Sequence, residues 1–227
     1  MESDEEARSR VEAISEILIP LWPDAVPLLA YRDCFELLIA VILSAQCTDD
    51  QVNKATPALF ARWPDAASLS AAATADVENA IRSIGFHRVK ARNIIACARI
   101  LAQGYDGEPP ASMDELLALP GVGRKTANLV LSACFGRPGI IVDTHVLRVC
   151  GRLGLAPSGR AAADPAAVEK RIAFLLESSA WTSFSHAVNR HGKFLCTARA
   201  PECSRCPIAG YCPRIGLPAP SSDAAPG

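Results

Sequence analysis

Aromatic side chains are scarce in this chain, at 6% of its 227 residues, and it holds only 2 methionines and 4 histidines. Sheets draw on aromatic and β-branched residues to cover their pleated faces, so this shortage argues against a sheet-built fold. No stretch reaches the roughly 18 uninterrupted apolar residues of a membrane span, and no membrane partner is expected. Charge of one sign is missing too. The formal net charge is −1 and the pI about 6.4, so the chain as a whole does not announce a nucleic-acid binder. Its first ten residues, MESDEEARSR, are acidic and lack an apolar h-region. That excludes a secretory signal at this position and makes the cytoplasm the expected compartment.

What is present is apolar and helical. Half of the residues are hydrophobic, ample for one large core or two small ones. Ser3 and Glu6 form a capping-box pattern, and Val11, Ile14 and Leu18 recur at helical spacing, which predicts a helix to about Ile19 that Pro20 stops. The run 35–44 (FELLIAVILS) is apolar nearly all round and reads as a buried helix. Further helices are expected over 51–63, 75–84, 88–103, 113–119, 125–135, 145–153, 165–176 and 182–190. Most connectors carry Gly or Pro, and no alternating strand pattern appears. The predicted fold class is therefore all-α, built of short helices. The tail 217–227, rich in Pro, Ala and Ser, is expected to be disordered.

The 9 cysteines divide into two sets. Cys34, Cys47, Cys97, Cys134 and Cys150 are scattered through apolar sequence and read as reduced, buried hydrophobes. Cys196, Cys203, Cys206 and Cys212 follow the spacing C-x6-C-x2-C-x5-C, with Pro201 and Pro207 turning the chain between them. Four thiols that close read as one metal site; disulfides would be favoured only in a short secreted chain. Zinc and an iron–sulfur cluster both suit four thiolates. Zinc ribbons usually offer two C-x2-C knuckles and this segment has one, which leans toward a cluster.

Charge is unevenly spread. From Arg82 to Arg99 lie Arg88, Lys90, Arg92 and His87 without an acid, and from His186 to Arg199 lie Arg190, His191 and Lys193, again without an acid. Each stretch is either a solvated helix face or a surface for a polyanion. Between two predicted helices, 119–128 reads LPGVGRKTAN. Gly121, Val122 and Gly123 let the backbone turn sharply, and the next helix then presents N–H groups and a positive dipole end that suit a phosphate. The same pattern would also serve a plain αα-corner.

Four segments in order, LLIAVILSAQCTD (37–49), LPGVGRKTAN (119–128), VDTHVLRV (142–149) and the four-cysteine loop, resemble bacterial endonuclease III, of the helix-hairpin-helix DNA glycosylase superfamily. The resemblance implies an enzyme that excises oxidised pyrimidines from double-stranded DNA and then nicks the abasic strand, acting as a monomer. It implies a [4Fe-4S] cluster on Cys196, Cys203, Cys206 and Cys212. Two helical domains flanking a DNA-binding groove are expected: a six-helix barrel over 27–137 and a cluster domain from 1–26 and 138–216.

By the same resemblance Lys125 is the catalytic lysine, and attack by a neutral amine predicts partial burial beside the helix N-terminus and Arg124. Asp143 matches the essential aspartate, although its position also fits an N-cap for the following helix. A glycosylase must flip its target out of the duplex and fill the gap. Gln46 matches one such wedge. Phe86 stands where relatives often carry Leu, so either Phe86 is the second wedge or it is core and His87 takes the role. Gly121, Val122, Gly123, Arg124 and Thr144 are the other expected DNA contacts, and His145 is expected only to support. Two segments depart from the family pattern: the cysteine loop TARAPE is poor in Lys and Arg, and 185–190 is more polar than usual. A mismatch-specific glycosylase of the same superfamily, or a silent DNA-binding module, would be expected to lack Lys125 or Asp143.

Overall fold

Cap chemistry starts most of the helices. In the computed structural model, which describes residues 2–23, 28–156 and 163–217, every regular element is helical, as the composition predicts. Helix α1 (Asp4–Leu21) opens with the predicted capping box: Ser3 Oγ accepts from Glu6 N at 3.2 Å, and Glu6 Oε2 accepts from Ser3 N at 2.7 Å. It does not stop before Pro20. Pro20 and Glu16, whose carbonyl loses its helical donor, both lie on the exposed face, where water can take the vacated bond.

The chain separates into two compact units, Pro27–Gly139 and a second formed by Met1–Val26 with Ile140–Gly227. In the first, α2 (Cys34–Ser44) is buried from Phe35 to Leu43 and packs on α3 (Asp49–Arg62), α6 (His87–Gly104) and α8 (Arg124–Phe135). Each such Leu or Ile contributes about 1.5–3 kcal/mol on burial. Its one acid, Glu36, is buried and pairs with Arg32. Short helices α4 (Ala66–Ser70), α5 (Thr74–Ala80) and α7 (Met113–Leu117) complete this unit. Helix α4 was not predicted, yet Asp65 and Ser68 cap it reciprocally.

The other unit packs α1 against α10 (Pro165–Leu175) and α11 (Trp181–Phe194), with α9 (Thr144–Arg152) lying on α11. Val11, Ile14, Leu18, Val146, Ile172 and Phe184 sit at its centre. Arg10 Nη1 donates to the carbonyls of Leu153 (2.7 Å) and Tyr211 (3.2 Å), tying the start of the chain to its last described segment. The isolated cysteines do not all behave alike. Cys97 and Cys150 are buried thiols pushed up to about 12 by burial, whereas Cys34 and Cys134, expected to be reduced, are joined by a disulfide between α2 and α8, with Cα atoms 5.8 Å apart. Of the expected disordered tail, all but Leu217 lies outside the described residues.

Candidate active site

Helices α7 and α8 meet in a hairpin whose two glycines do different work. Gly121 has φ +82°, and a Cβ there would lie 3.0 Å from Ile42 Cγ2 and 3.2 Å from Asn93 Cβ, so backbone and packing both require glycine. Gly123 is extended (φ −109°), has nothing within 4 Å of where its Cβ would stand, and is the N-cap of α8 without any side-chain cap. No side chain caps the amide end of this twelve-residue helix. Arg124 and Lys125, its first two residues, are exposed, and Val122 is half-buried. The predicted partial burial of Lys125 is absent: the residue is exposed at the start of α8.

Asp143, in the other unit, is half-buried and fully engaged. Its Oδ1 accepts from His145 N (2.9 Å) and Val146 N (2.8 Å), capping α9, and its Oδ2 accepts from Asn189 Nδ2 at 2.6 Å. Three donors fix the orientation of the carboxylate. Thr144, the first residue of α9, is exposed, and His145 Nδ1 lies 3.1 Å from Arg148 Nη2, a supporting contact. Asn189 is a functional candidate that sequence reasoning missed: the polarity of 185–190 was visible, but the partner across α11 and α9 was not. His186, on the same helix, is held below the ordinary imidazole range, chiefly by burial and next by the Arg190 charge, with Asp143 opposing.

The two wedge candidates share an unusual backbone. Gln46 (φ +56°) and Phe86 (φ +59°) are both left-handed non-glycine residues, and both side chains are exposed, Phe86 at 67%. Phe86 is thus not core, while His87 is half-buried at the start of α6. Among the bases of the first acid-free stretch, Arg82, Arg88, Arg92 and Arg99 are exposed, but Lys90 is buried at 5%. In the second, His191 is buried and pushed down to about 4, which leaves Lys193 and Arg199 as its exposed bases.

Cys196, Cys203, Cys206 and Cys212 line one cavity together with Arg152, His191 and Leu195. Arg152, at 9% exposure, donates to the carbonyls of Cys196 (3.2 Å), Thr197 (2.7 Å) and Ala198 (2.9 Å) and to Cys196 Sγ (3.2 Å). Arg148 Nε adds a bond to the Cys196 carbonyl at 3.2 Å. Burial pushes the thiols of Cys206 and Cys212 up, so a ligand must displace their protons. All four cysteines line this one cavity, although among the described residues no group of three His, Cys, Asp or Glu side chains is placed to hold a metal ion. Four thiols lining one cavity have the donor chemistry of an iron–sulfur cluster. In the loop that follows Cys196, Arg205 is paired with Glu202 at 2.7 Å, so few free cations face outward there.

The family described as HhH-GPD superfamily base excision DNA repair protein matches residues 39–176, and the iron–sulfur binding domain of endonuclease III matches residues 196–212. An endonuclease III of Synechocystis sp. is 46% identical over 207 residues, covering 91% of this chain and 93% of its own. The endonuclease III of Escherichia coli K12 is 42% identical, over 81% of this chain and 85% of its own. Among solved structures, a trapped endonuclease III–DNA covalent intermediate superposes with TM-score 0.85 at 41% identity, covering 94% of this chain and 97% of that one. A thermostable thymine-DNA glycosylase shares the fold, with TM-score 0.80 over 92% of this chain and 97% of its own, at 21% identity.

Proposed function

Because this chain belongs to the endonuclease III branch of the HhH-GPD superfamily of base excision DNA repair proteins, we propose that Lys125 and Asp143 carry out its two reactions. It is a bifunctional DNA glycosylase and abasic-site lyase, and its substrates are oxidised pyrimidines in duplex DNA. The observation that carries the assignment is the pair of settings: an exposed lysine on the uncapped amide end of α8, and an aspartate immobilised by three donors.

The chemistry follows from those groups. With its proton removed by a general base, Lys125 Nζ attacks C1′, and the bond to the base breaks with its electron pair leaving on the base, which is then protonated. Positive charge develops on the sugar as that bond opens, and the Asp143 carboxylate offsets it. Opening of the sugar gives an imine between Nζ and C1′. Loss of a proton from C2′ then expels the 3′ phosphate, and water releases the enzyme. The N–H groups of the α8 N-terminus and the turn Gly121–Val122–Gly123, with Arg124 and Thr144, grip backbone phosphates, so affinity falls with salt although the chain is slightly acidic. Gln46 and Phe86 fill the space left by the flipped nucleotide, Phe86 rather than His87 because it is the exposed one.

The chain carries a [4Fe-4S] cluster. We assign its ligands to Cys196, Cys203, Cys206 and Cys212. When bound, the cluster supplies folding free energy to its segment, while Arg152 and Arg148 hold the Cys196 turn around it. The assignment of specificity is tested by single-turnover excision from two duplexes, one with thymine glycol and one with a G·T mismatch. Release from thymine glycol with strand nicking supports the proposal. Release from the mismatch alone, without nicking, would replace it with a monofunctional glycosylase.

A further inference from the structure

A buried lysine is bonded to the turns of both wedge residues, by its side chain to one and by its backbone to the other. Lys90 Nζ has three hydrogens and three acceptors: the carbonyls of Leu43 (2.8 Å) and Ala45 (2.7 Å) and Cys47 Sγ (3.2 Å). Those carbonyls belong to the C-terminal end of α2, where the helix leaves acceptors unpaired and its dipole favours a cation. The Cys47 amide closes the same turn onto Ser44 O at 3.0 Å. Ala45 and Cys47 flank Gln46, so the side chain of Lys90 grips the turn on both sides of it.

The backbone of the same residue holds the other wedge. Lys90 N donates to Phe86 O at 3.1 Å, and Val89 N to the same carbonyl at 3.0 Å. Gly85, just before Phe86, lies close to the other turn: a Cβ added there would stand 3.6 Å from Cys47 Sγ. Neither left-handed conformation is one that Gln or Phe adopts without a surrounding structure to impose it, and a strained residue persists only where its neighbours over-determine it. One basic residue, at a position whose sequence context reads as a charged surface, satisfies both requirements from beneath.

We infer that Lys90 is a positioning residue for nucleotide flipping: it locks the turns of Gln46 and Phe86 to one another, so that both side chains enter the duplex together. This rests on the proposed role of Gln46 and Phe86 as wedges. Lys90 is buried and would touch no DNA, so its effect appears only where flipping is needed. A leucine or methionine here would leave two carbonyls unpaired and free the turns to move independently.

The test compares Lys90→Met with wild type on duplex thymine glycol and on an abasic site in single-stranded DNA, where no wedge is required. Excision from the duplex is expected to fall about 10²-fold, the size of effect that a misplacement of about 1 Å produces. Nicking of the single-stranded abasic site is expected to stay within about twofold, since catalytic groups in well-packed distant elements act independently. In the Gln46→Ala, Phe86→Ala background, Lys90→Met should add little further loss, because its effect runs through those two side chains. Equal losses on both substrates, or full additivity with the wedge substitutions, would overturn the inference. If Lys90→Met does not fold, Lys90→Gln reads the same split at smaller amplitude. Inactivity of the wild type on both substrates would instead contradict the functional proposal itself.

Discussion

Replacing each hairpin glycine by alanine separates packing from ligand contact. In Gly121→Ala, an L-residue is forced to φ +82°, which costs about 1–2 kcal/mol. Its methyl would also stand 3.0 Å from Ile42 Cγ2 and 3.2 Å from Asn93, an overpacking that adds about 1–3 kcal/mol. A total loss of roughly 2–5 kcal/mol is expected in denaturant unfolding of the variant. Gly123→Ala meets no atom within 4 Å and keeps an extended φ of −109°, so only the poorer N-cap is felt, at about 1 kcal/mol or less. Its methyl instead occupies the approach to the α8 amides. Binding to abasic duplex should weaken, and the slope of log affinity against log salt should become shallower by about 0.9 for one lost phosphate contact. Denaturant curves and salt titrations on both variants decide the matter. If Gly121→Ala is as stable as wild type, or if Gly123→Ala binds DNA with an unchanged salt slope, the division of labour within the hairpin is wrong.

Asn189→Leu removes a bond to a charged acceptor, about 1.5–3 kcal/mol, and base release under single turnover should drop roughly ten- to hundredfold, with no further drop in an Asp143→Asn background. Cys206→Ser should lose visible cluster absorbance and destabilise the unit holding α1, α9, α10 and α11 before chemistry is affected; unchanged melting and DNA binding without that absorbance would contradict it. His186 binds its proton less readily in the folded chain than in the unfolded one. Its contribution to stability is therefore complete above the ordinary imidazole value near about 6.5 and is lost as pH falls below it. Melting temperatures measured at descending pH should drop less steeply in His186→Leu than in wild type, and parallel curves would refute this.

Much of the fold was legible because local signals agreed with tertiary ones. The apolar run of α2 could have been a strand by periodicity alone, but its richness in Leu and Ala favours the buried helix that forms, and the Ser3–Glu6 box fixes where α1 begins. Pro20 misled, because a proline ends a helix only when its lost bond cannot be replaced, and the exposed Glu16 carbonyl can find water. Lys125 and Asp143 are proposed through motif resemblance; their settings are not legible in the sequence. An exposed amine, a third donor on Asp143 from Asn189, and the burial of Lys90 all depend on contacts between helices distant in sequence, which periodicity does not encode. Arg152 was hidden for the same reason: as one basic residue near a helix end it resembles any surface cation, yet three loop carbonyls and a thiol surround it. The disulfide Cys34–Cys134 escaped a reading based on compartment, because pairing is decided by Cα atoms 5.8 Å apart across 100 residues of sequence.

Borohydride trapping on duplex DNA carrying a single thymine glycol, with Lys125→Ala in parallel, tests the central claim most directly. A covalent protein–DNA adduct in the wild type that disappears in Lys125→Ala is the predicted result, since reduction captures only an imine formed through that amine. An adduct of equal yield in Lys125→Ala would place the nucleophile elsewhere. No adduct in the wild type, with cluster absorbance and DNA binding intact, would contradict the lyase chemistry altogether.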